Sequence, residues 1–394
     1  LNGGKVWEKI DTLSPNIIVS LAVSPNYKND STVAISTYLG GGYISHDRGK
    51  NWSGINKGLL ELKKYVKQGN LVRLFEVTFS PEYELDNTIF SSSWRRFYTS
   101  RNKGQDWNIQ YFGPKRILKK LKLDKSPKSL IEPPLIVAVS PNYTIDKTLY
   151  LGTKIGDILQ VIDGVAIDKS VGNVGKRIYS LTISPDFAID RTLYAGAEDG
   201  IYESVDRGVS WKCLQKTATV TNLAISPNYK VDGTIFAGTA RGIFKTLDRG
   251  RSWLKLIDTP FGEDGYVEAI VVSPSYELDR TLLVSIRGKG LFRSFDEGQT
   301  FTEIGKTLID NNHLLSNYGS GYNCTTVPIK FSPDYANDKT IYGYSGLEVF
   351  RSQDGGITWE SVFMPNYSNK NPINSLYRLV NVPLQMGGIP TKRD

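Results

Sequence analysis

The chain has 394 residues, with 48 Lys and Arg against 40 Asp and Glu and a formal net charge of +8. It contains no run of about 18 apolar residues, which excludes a membrane-spanning helix. Its two cysteines, Cys213 and Cys324, exclude a disulfide framework and a cysteine-rich metal site, and their spacing leaves open whether they pair.

In chain order, the first feature is Asn2-Gly3-Gly4 followed by Trp7, which reads as the end of a phrase that recurs later. This start inside a phrase, at Leu1 and with no visible signal peptide, is expected of part of a longer chain or assembly, or of a processed one. From Ser24 onward one phrase dominates: Ser-Pro-x-Tyr/Phe-x-x-Asp-x-Thr-apolar. It occurs seven times, beginning at Ser24, Ser80, Ser140, Ser184, Ser226, Ser273 and Ser332. A period near 50 residues fits one four-stranded unit with loops, and fixed-period self-similarity signals a repeat architecture. A second phrase, Ser/Thr-x-Asp-x-Gly-x-x-Trp, follows inside most units. Its aspartates are Asp47, Asp206, Asp248, Asp296 and Asp354; the second unit has Asn102 instead, and the third keeps only Asp163-Gly164.

Each phrase has a physical task. Asp accepts backbone N–H bonds where a strand reverses, and Gly supplies positive φ. Trp anchors the following strand in the gap between units. Pro ends the strand before it, and Asp-x-Thr offers side-chain bonds to a short turn. Each unit therefore reads as strand A, the Ser-Pro turn, strand B, a Gly-rich turn, strand C, the Asp turn and strand D. The predicted fold is all-β, a seven-bladed β-propeller of four-stranded blades. Its expected extent is 1–362, with 363–394 as a tail. An eight-bladed ring, closed by tail strands near Ile373–Val382, is the alternative.

The Ser-x-Asp-x-Gly-x-x-Trp phrases resemble the Asp-box, or bacterial neuraminidase, repeats. The combined pattern is similar to Asp-box propellers of the sortilin, photosystem II assembly factor, xyloglucanase and sialidase types. That resemblance implies the fold but not one function, since the group includes enzymes and binders.

Strand alternation puts the Ser-Pro and Asp-box turns on one face and the D–A and B–C connections on the other. The first face is repetitive, so the Asp-box aspartates read as structural; the second is variable and is the expected working face. Two of its long connections concentrate positive charge: 53–73, and 108–135 with Lys115, Arg116, Lys119 and Lys120. The second B–C turn adds Trp94, Arg95 and Arg96; later turns add Arg241 and Arg287. These residues are the expected ligand-binding set, because cations beside an aromatic stack on and pair with anionic groups. A solvated, partnerless Lys-rich surface is the competing reading. The expected partner is an acidic polysaccharide or protein. No nucleic-acid motif accompanies the charge, which argues against nucleic acid.

Sialidase resemblance implies three arginines on a carboxylate, but its Arg-Ile-Pro phrase is absent, since Leu118 follows Arg116-Ile117. A glycosidase needs two facing carboxylates; Asp157 and Asp199, both in B–C turns, are the suspects. Otherwise no catalytic residue is assigned. His46 occupies a variable Asp-box position and is expected to be exposed and inert, while His313 lies in a loop with Tyr318 and Tyr322. No cofactor or metal is expected. The functional expectation is a non-catalytic recognition scaffold, secreted or at the cell surface. A carbohydrate-active glycoside hydrolase and an assembly factor for a larger complex are the alternatives.

Overall fold

Blade 4 displays the repeat in full: strands Ile178–Ile183, Leu193–Ala197, Gly200–Ser204 and Lys212–Lys216 pair in that order, each antiparallel to the next. We describe the chain from a computed structural model, over residues 18–37, 40–59, 74, 76–93, 96–111, 134–163, 165–166, 170–256, 262, 265–305, 328–345 and 348–363. Seven such sheets form a ring, a seven-bladed β-propeller. Strand A is Ile18–Val23 in blade 1, Glu76–Phe79 in blade 2, Pro134–Val139 in blade 3 and Ile178–Ile183 in blade 4. It is Val220–Ile225, Val267–Val272 and Ile329–Phe331 in blades 5, 6 and 7. Blade 3, which lacks a full Asp box, has a broken outer edge. Val165–Ala166 and Gly172–Asn173 pair separately on Asp157–Ile162.

The Ser-Pro phrase folds as a single helical turn from its aromatic to its Asp. In blade 1, Ser24 Oγ donates to Asp30 Oδ2 at 2.6 Å, while Asp30 Oδ1 accepts the Thr32 N–H at 2.8 Å. The same pair of bonds recurs in all seven blades. One carboxylate thus closes the loop at both ends, which explains why Ser, Asp and Thr never vary.

The aromatic of the phrase is buried between blades. Tyr143, Phe187, Tyr229 and Tyr276 each meet edge-on an aromatic from strand B of the preceding blade: Phe90, Tyr150, Tyr194 and Phe236. Two blades supply no such ring, because the strand B position holds Ala34 in blade 1 and Leu283 in blade 6. There the next blade provides the ring itself. Tyr83 packs on Phe79 and Tyr335 on Phe331, centroids 4.6 and 4.5 Å apart. At the corresponding end of strand A the other five blades carry Val or Ile. Ring volume is conserved across each interface although the residue supplying it changes, as close packing requires.

Strand B is buried on both sides, so it reads as a continuous run of small and apolar residues rather than an alternation. Close approach accounts for its glycine. A Cβ on Gly238 would lie 2.5 Å from Val267 Cγ1, at the start of the next blade.

The ring closes between blades 7 and 1 by packing and hydrogen bonds. The Tyr27 and Tyr342 hydroxyls lie 2.6 Å apart, Tyr344 Oη donates to the Val19 carbonyl at 2.7 Å, and Trp52 Nε1 donates to the Val362 carbonyl at 2.9 Å. Closure on seven blades leaves no place for the eighth considered from sequence. Apart from Phe363, the last residue of strand D in blade 7, the 363–394 tail lies outside the described residues.

Candidate functional site

The two faces are separated as strand direction dictates. On one, the Asp-box turn is tied to the Ser-Pro turn of the same blade, Arg48 N donating to Ser31 O and Arg207 N to Arg191 O. Within the box, Ser45 Oγ donates to Asp47 Oδ1 and accepts the Gly49 N–H, while Asp47 accepts the Asn51 N–H at 2.8 Å. That backbone bond, with help from the Asn51 and Ser45 side chains, brings the Asp47 carboxyl down to about 2. Asp206 and Asp248 are held at about 2 in the same way, chiefly by Ser210 and Ser252. Asp296 and Asp354 are also lowered, because hydrogen bonds from Thr300 and Thr358 outweigh burial. All five aspartates are turn acceptors. His46 is exposed as expected, but its Nδ1 lies 2.9 Å from Thr32 Oγ1, and burial lowers its proton affinity.

On the other face the D–A and B–C connections meet: Glu198 N donates to Arg177 O, Ala240 N to Thr219 O and Arg287 N to Tyr266 O. Blades 4 and 6 place cations against aromatic rings here. Arg177 lies 4.7 Å from the centroid of Tyr179, Lys216 5.7 Å from Tyr202 and Arg287 3.7 Å from Tyr266. Arg241 is exposed at the tip of the blade 5 turn. Arg287 is also paired with the carboxylate of Glu268, so its guanidinium is already oriented. Arg96 opens strand C of blade 2, paired with Ser93. Trp94, Arg95, Lys115, Arg116, Lys119 and Lys120 lie outside the described residues, as do His313 and Cys324. Cys213 is a half-buried free thiol.

Both suspect acids accept hydrogen bonds from neighbouring side chains. Asp157 Oδ1 accepts from Asn173 Nδ2 at 2.7 Å. Asp199 accepts from Tyr202 Oη at 2.9 Å and pairs with Lys216 Nζ at 2.7 Å. Burial would raise the Asp199 carboxyl, but those two partners outweigh it and hold it ionised. Three acids with raised proton affinity, Glu76, Glu203 and Glu268, are ones that sequence reading passed over. Burial lifts Glu76, on strand A of blade 2, to about 7, and it also raises Glu268 against the pull of Arg287. Among the described residues, no group of three His, Cys, Asp or Glu side chains is arranged to hold a metal, and no helix is long and apolar enough to cross a membrane.

The Asp-box face carries a further feature. The residue before the Asp of the Ser-Pro phrase is Leu85, Ile145, Ile189, Val231 and Leu278 in blades 2 to 6, and each is 72–85% exposed. Blades 4 to 6 add exposed Val205, Leu247 and Phe295 in the Asp boxes. Asn29 and Asn337 take the place in blades 1 and 7, bonded to Asn26 and Asp334. The pattern was legible as an apolar residue recurring in a turn, where polar residues are usual.

The BNR/Asp-box repeat family matches residues 43–53 and 350–361. No curated protein sequence matches the chain. Among solved structures, the GH74 xyloglucanase from Xanthomonas campestris superposes with a TM-score of 0.63 at 14% identity, covering 91% of this chain and 56% of that one. The chain thus spans little more than half the enzyme's length. YCF48 bound to D1 peptide superposes at 0.56 with 14% identity, over 86% of this chain and 92% of YCF48. YCF48 from Cyanidioschyzon merolae is similar, at 0.55, 14%, 84% and 94%.

Proposed function

Since the chain is a β-propeller of the Asp-box repeat family, we propose that it is a non-catalytic recognition scaffold that holds an acidic protein segment or polymer on the D–A/B–C face. The observation that carries this reading is the state of that face. Its cations lie against Tyr179, Tyr202 and Tyr266, while Asp199 is paired with Lys216 and Asp157 accepts from Asn173. Rings and guanidinium planes supply stacking and charge without any bond-breaking group. The Lys- and Arg-rich connections of blades 1 and 2 add long-range attraction for an anionic ligand.

Of the two ligand classes, the peptide is favoured by the comparison. YCF48 bound to D1 peptide is matched over nearly its whole length, whereas the xyloglucanase is matched over little more than half. Arrays of acidic peptides and of acidic and neutral polysaccharides, read for both binding and product release, test the proposal. Salt-sensitive binding of acidic peptides without products is expected. Release of short sugars contradicts it and directs attention to Glu76, Glu203 and Glu268, whose raised proton affinity suits acid catalysis.

A further inference from the structure

Opposite Tyr150, Tyr194, Phe236, Leu283 and Tyr342 of strand B, strand C carries Gln160, Glu203, Lys245, Arg293 and Arg351. In blades 5 to 7 this residue is a cation and clasps the next blade. It donates to the carbonyl of the residue between Asp and Gly in that blade's Asp box. Lys245 donates to Glu297 O at 3.4 Å, Arg293 to Gly355 O, and Arg351 to Arg48 O at 2.6 Å. In blade 4 the position holds an acid, Glu203, and the equivalent carbonyl is that of Arg249 in blade 5. An ionised carboxylate has no proton to give to it.

The Tyr194 hydroxyl takes the cation's part. It lies 2.6 Å from Tyr229 Oη, 3.1 Å from Glu203 Oε1 and 3.2 Å from Arg249 O. Its one proton serves either Glu203 or the Arg249 carbonyl, so the two acceptors share a single donor. Glu203 forms no ion pair among the described residues. Burial raises its proton affinity; the Tyr194 bond, Lys212 and Arg251 oppose that rise, and Asp190 adds to it. At the same interface an open cleft of about 540 Å³ has Tyr194, Glu203, Tyr229 and Arg249 in its walls. Exposed Lys212 and Arg251 line it too, one from each blade, and neither side chain makes a hydrogen bond or ion pair among the described residues. The Arg249 guanidinium is engaged, donating to the Lys230 carbonyl at 2.7 Å and lying over the Tyr229 ring. Asp190 also lines the cleft, but its carboxylate closes its own turn through Ser184 and Thr192. A half-buried carboxylate short of donors is an arrangement that an incoming ammonium would relieve.

We propose that the cleft between blades 4 and 5 binds a small zwitterion of the amino-acid class, its ammonium on Glu203 and the Arg249 carbonyl and its carboxylate on Lys212 and Arg251. The ammonium stands in for the clasp cation of blades 5 to 7. It brings three donors to a place where two acceptors share one. A plain amine would leave Lys212 and Arg251 without an anion, and a plain carboxylate would meet Glu203. A molecule carrying both charges matches both sets of groups, and the cleft has the volume of an ordinary small-molecule site. It lies beside the Asp-box turn of blade 5, on the face opposite the loops that carry the proposed recognition function, and is independent of that reading.

The test is calorimetric titration at neutral pH with glycine, 4-aminobutyrate and 6-aminohexanoate, which space the two charges differently, and with butylamine and butyrate as single-charge controls. Saturable binding of at least one amino acid is expected, with a dissociation constant on the order of 1 mM and each control about tenfold weaker or worse. Glu203→Gln puts into blade 4 the residue that blade 3 carries as Gln160, so it should fold, and it should weaken amino-acid binding about tenfold. Lys212→Ala with Arg251→Ala should weaken it by a similar factor while leaving the weak butylamine binding undiminished. Glu203→Lys recreates the arrangement of Lys245 and fills the seat from within, so it should abolish binding with a melting temperature kept or raised. Melting curves of every variant separate loss of the site from loss of the fold. No saturable binding of any of the three amino acids, a control that binds as tightly, or unchanged affinity in folded Glu203→Gln or Glu203→Lys would overturn the proposal. Loss of peptide binding by the loop variants has no bearing on it, so the two readings fail separately.

Discussion

The hydroxyls of Tyr27 and Tyr342, 315 residues apart in the chain, lie 2.6 Å from one another and join the first blade to the last. Both rings are fully buried and meet edge-on. Burial raises both phenols, so neither ionises in the ordinary range. Removing one hydroxyl leaves the other buried without its partner, which costs about 1–3 kcal/mol. Tyr27→Phe and Tyr342→Phe should each lower stability by that order in chemical denaturation. The double variant should cost less than their sum, since the two substitutions remove one shared bond. Strict additivity would show that the ring is not closed by this pair.

The exchange of ring volume between Ala34 and Phe79 gives a second prediction. Phe79→Val removes the ring that covers Tyr83 and should cost roughly 1–3 kcal/mol. Ala34→Phe alone should also destabilise, by overpacking against Phe79. Together they recreate the arrangement of Phe90 with Tyr143 and should recover most of the loss. A double variant no better than the worse single one would refute the exchange.

Asp47, Asp206 and Asp248 each sit at about 2, against an ordinary 3.8. Their folded values are depressed, so the stability they supply is present above the ordinary value and is lost as pH falls toward 2. Asn102 shows that an amide can take the position, accepting from Ser100 Oγ and Asp106 N at 2.9 Å. Replacing all three aspartates by Asn should flatten the fall in denaturation midpoint between about pH 4 and pH 2. An unchanged slope would mean that these carboxylates do not set acid stability.

The exposed apolar residues of the Asp-box face make a prediction of the opposite kind. Ile145, Val231 and Leu278 are each about four-fifths exposed, so a single substitution to Ser should change stability by no more than about 0.5 kcal/mol. A larger loss would show that they pack on parts of the chain outside the described residues. No change would leave them as surface, and an apolar row of this kind is a feature that interaction sites share.

Much of the fold was legible because its constraints are local. Ser24, Asp30 and Thr32 bond one another within nine residues, and Asp47 bonds Ser45 and Asn51 within seven. A network that short repeats as a phrase. The face assignment followed from strand direction alone. The site was less legible because its pairings are made across blades or across a hairpin. Nothing adjacent in sequence marks Glu268 as the partner of Arg287. Asp199 looked available in sequence, but Lys216 reaches it from the outer strand of the same blade, 17 residues on. The aromatic exchange at Ala34 was invisible for the same reason, since its compensation lies in the next blade.

Recognition of an acidic ligand without chemistry is tested most directly by measuring affinity for acidic peptides as salt rises from about 50 to 200 mM. Wild-type protein is compared with a Lys115→Ala, Arg116→Ala, Lys119→Ala, Lys120→Ala and Arg241→Ala variant. The expected result is a steep fall in affinity with salt, a shallower slope and weaker binding in the variant, and intact ligand recovered at the end. Affinity indifferent to salt, or a ligand recovered in pieces, would contradict it.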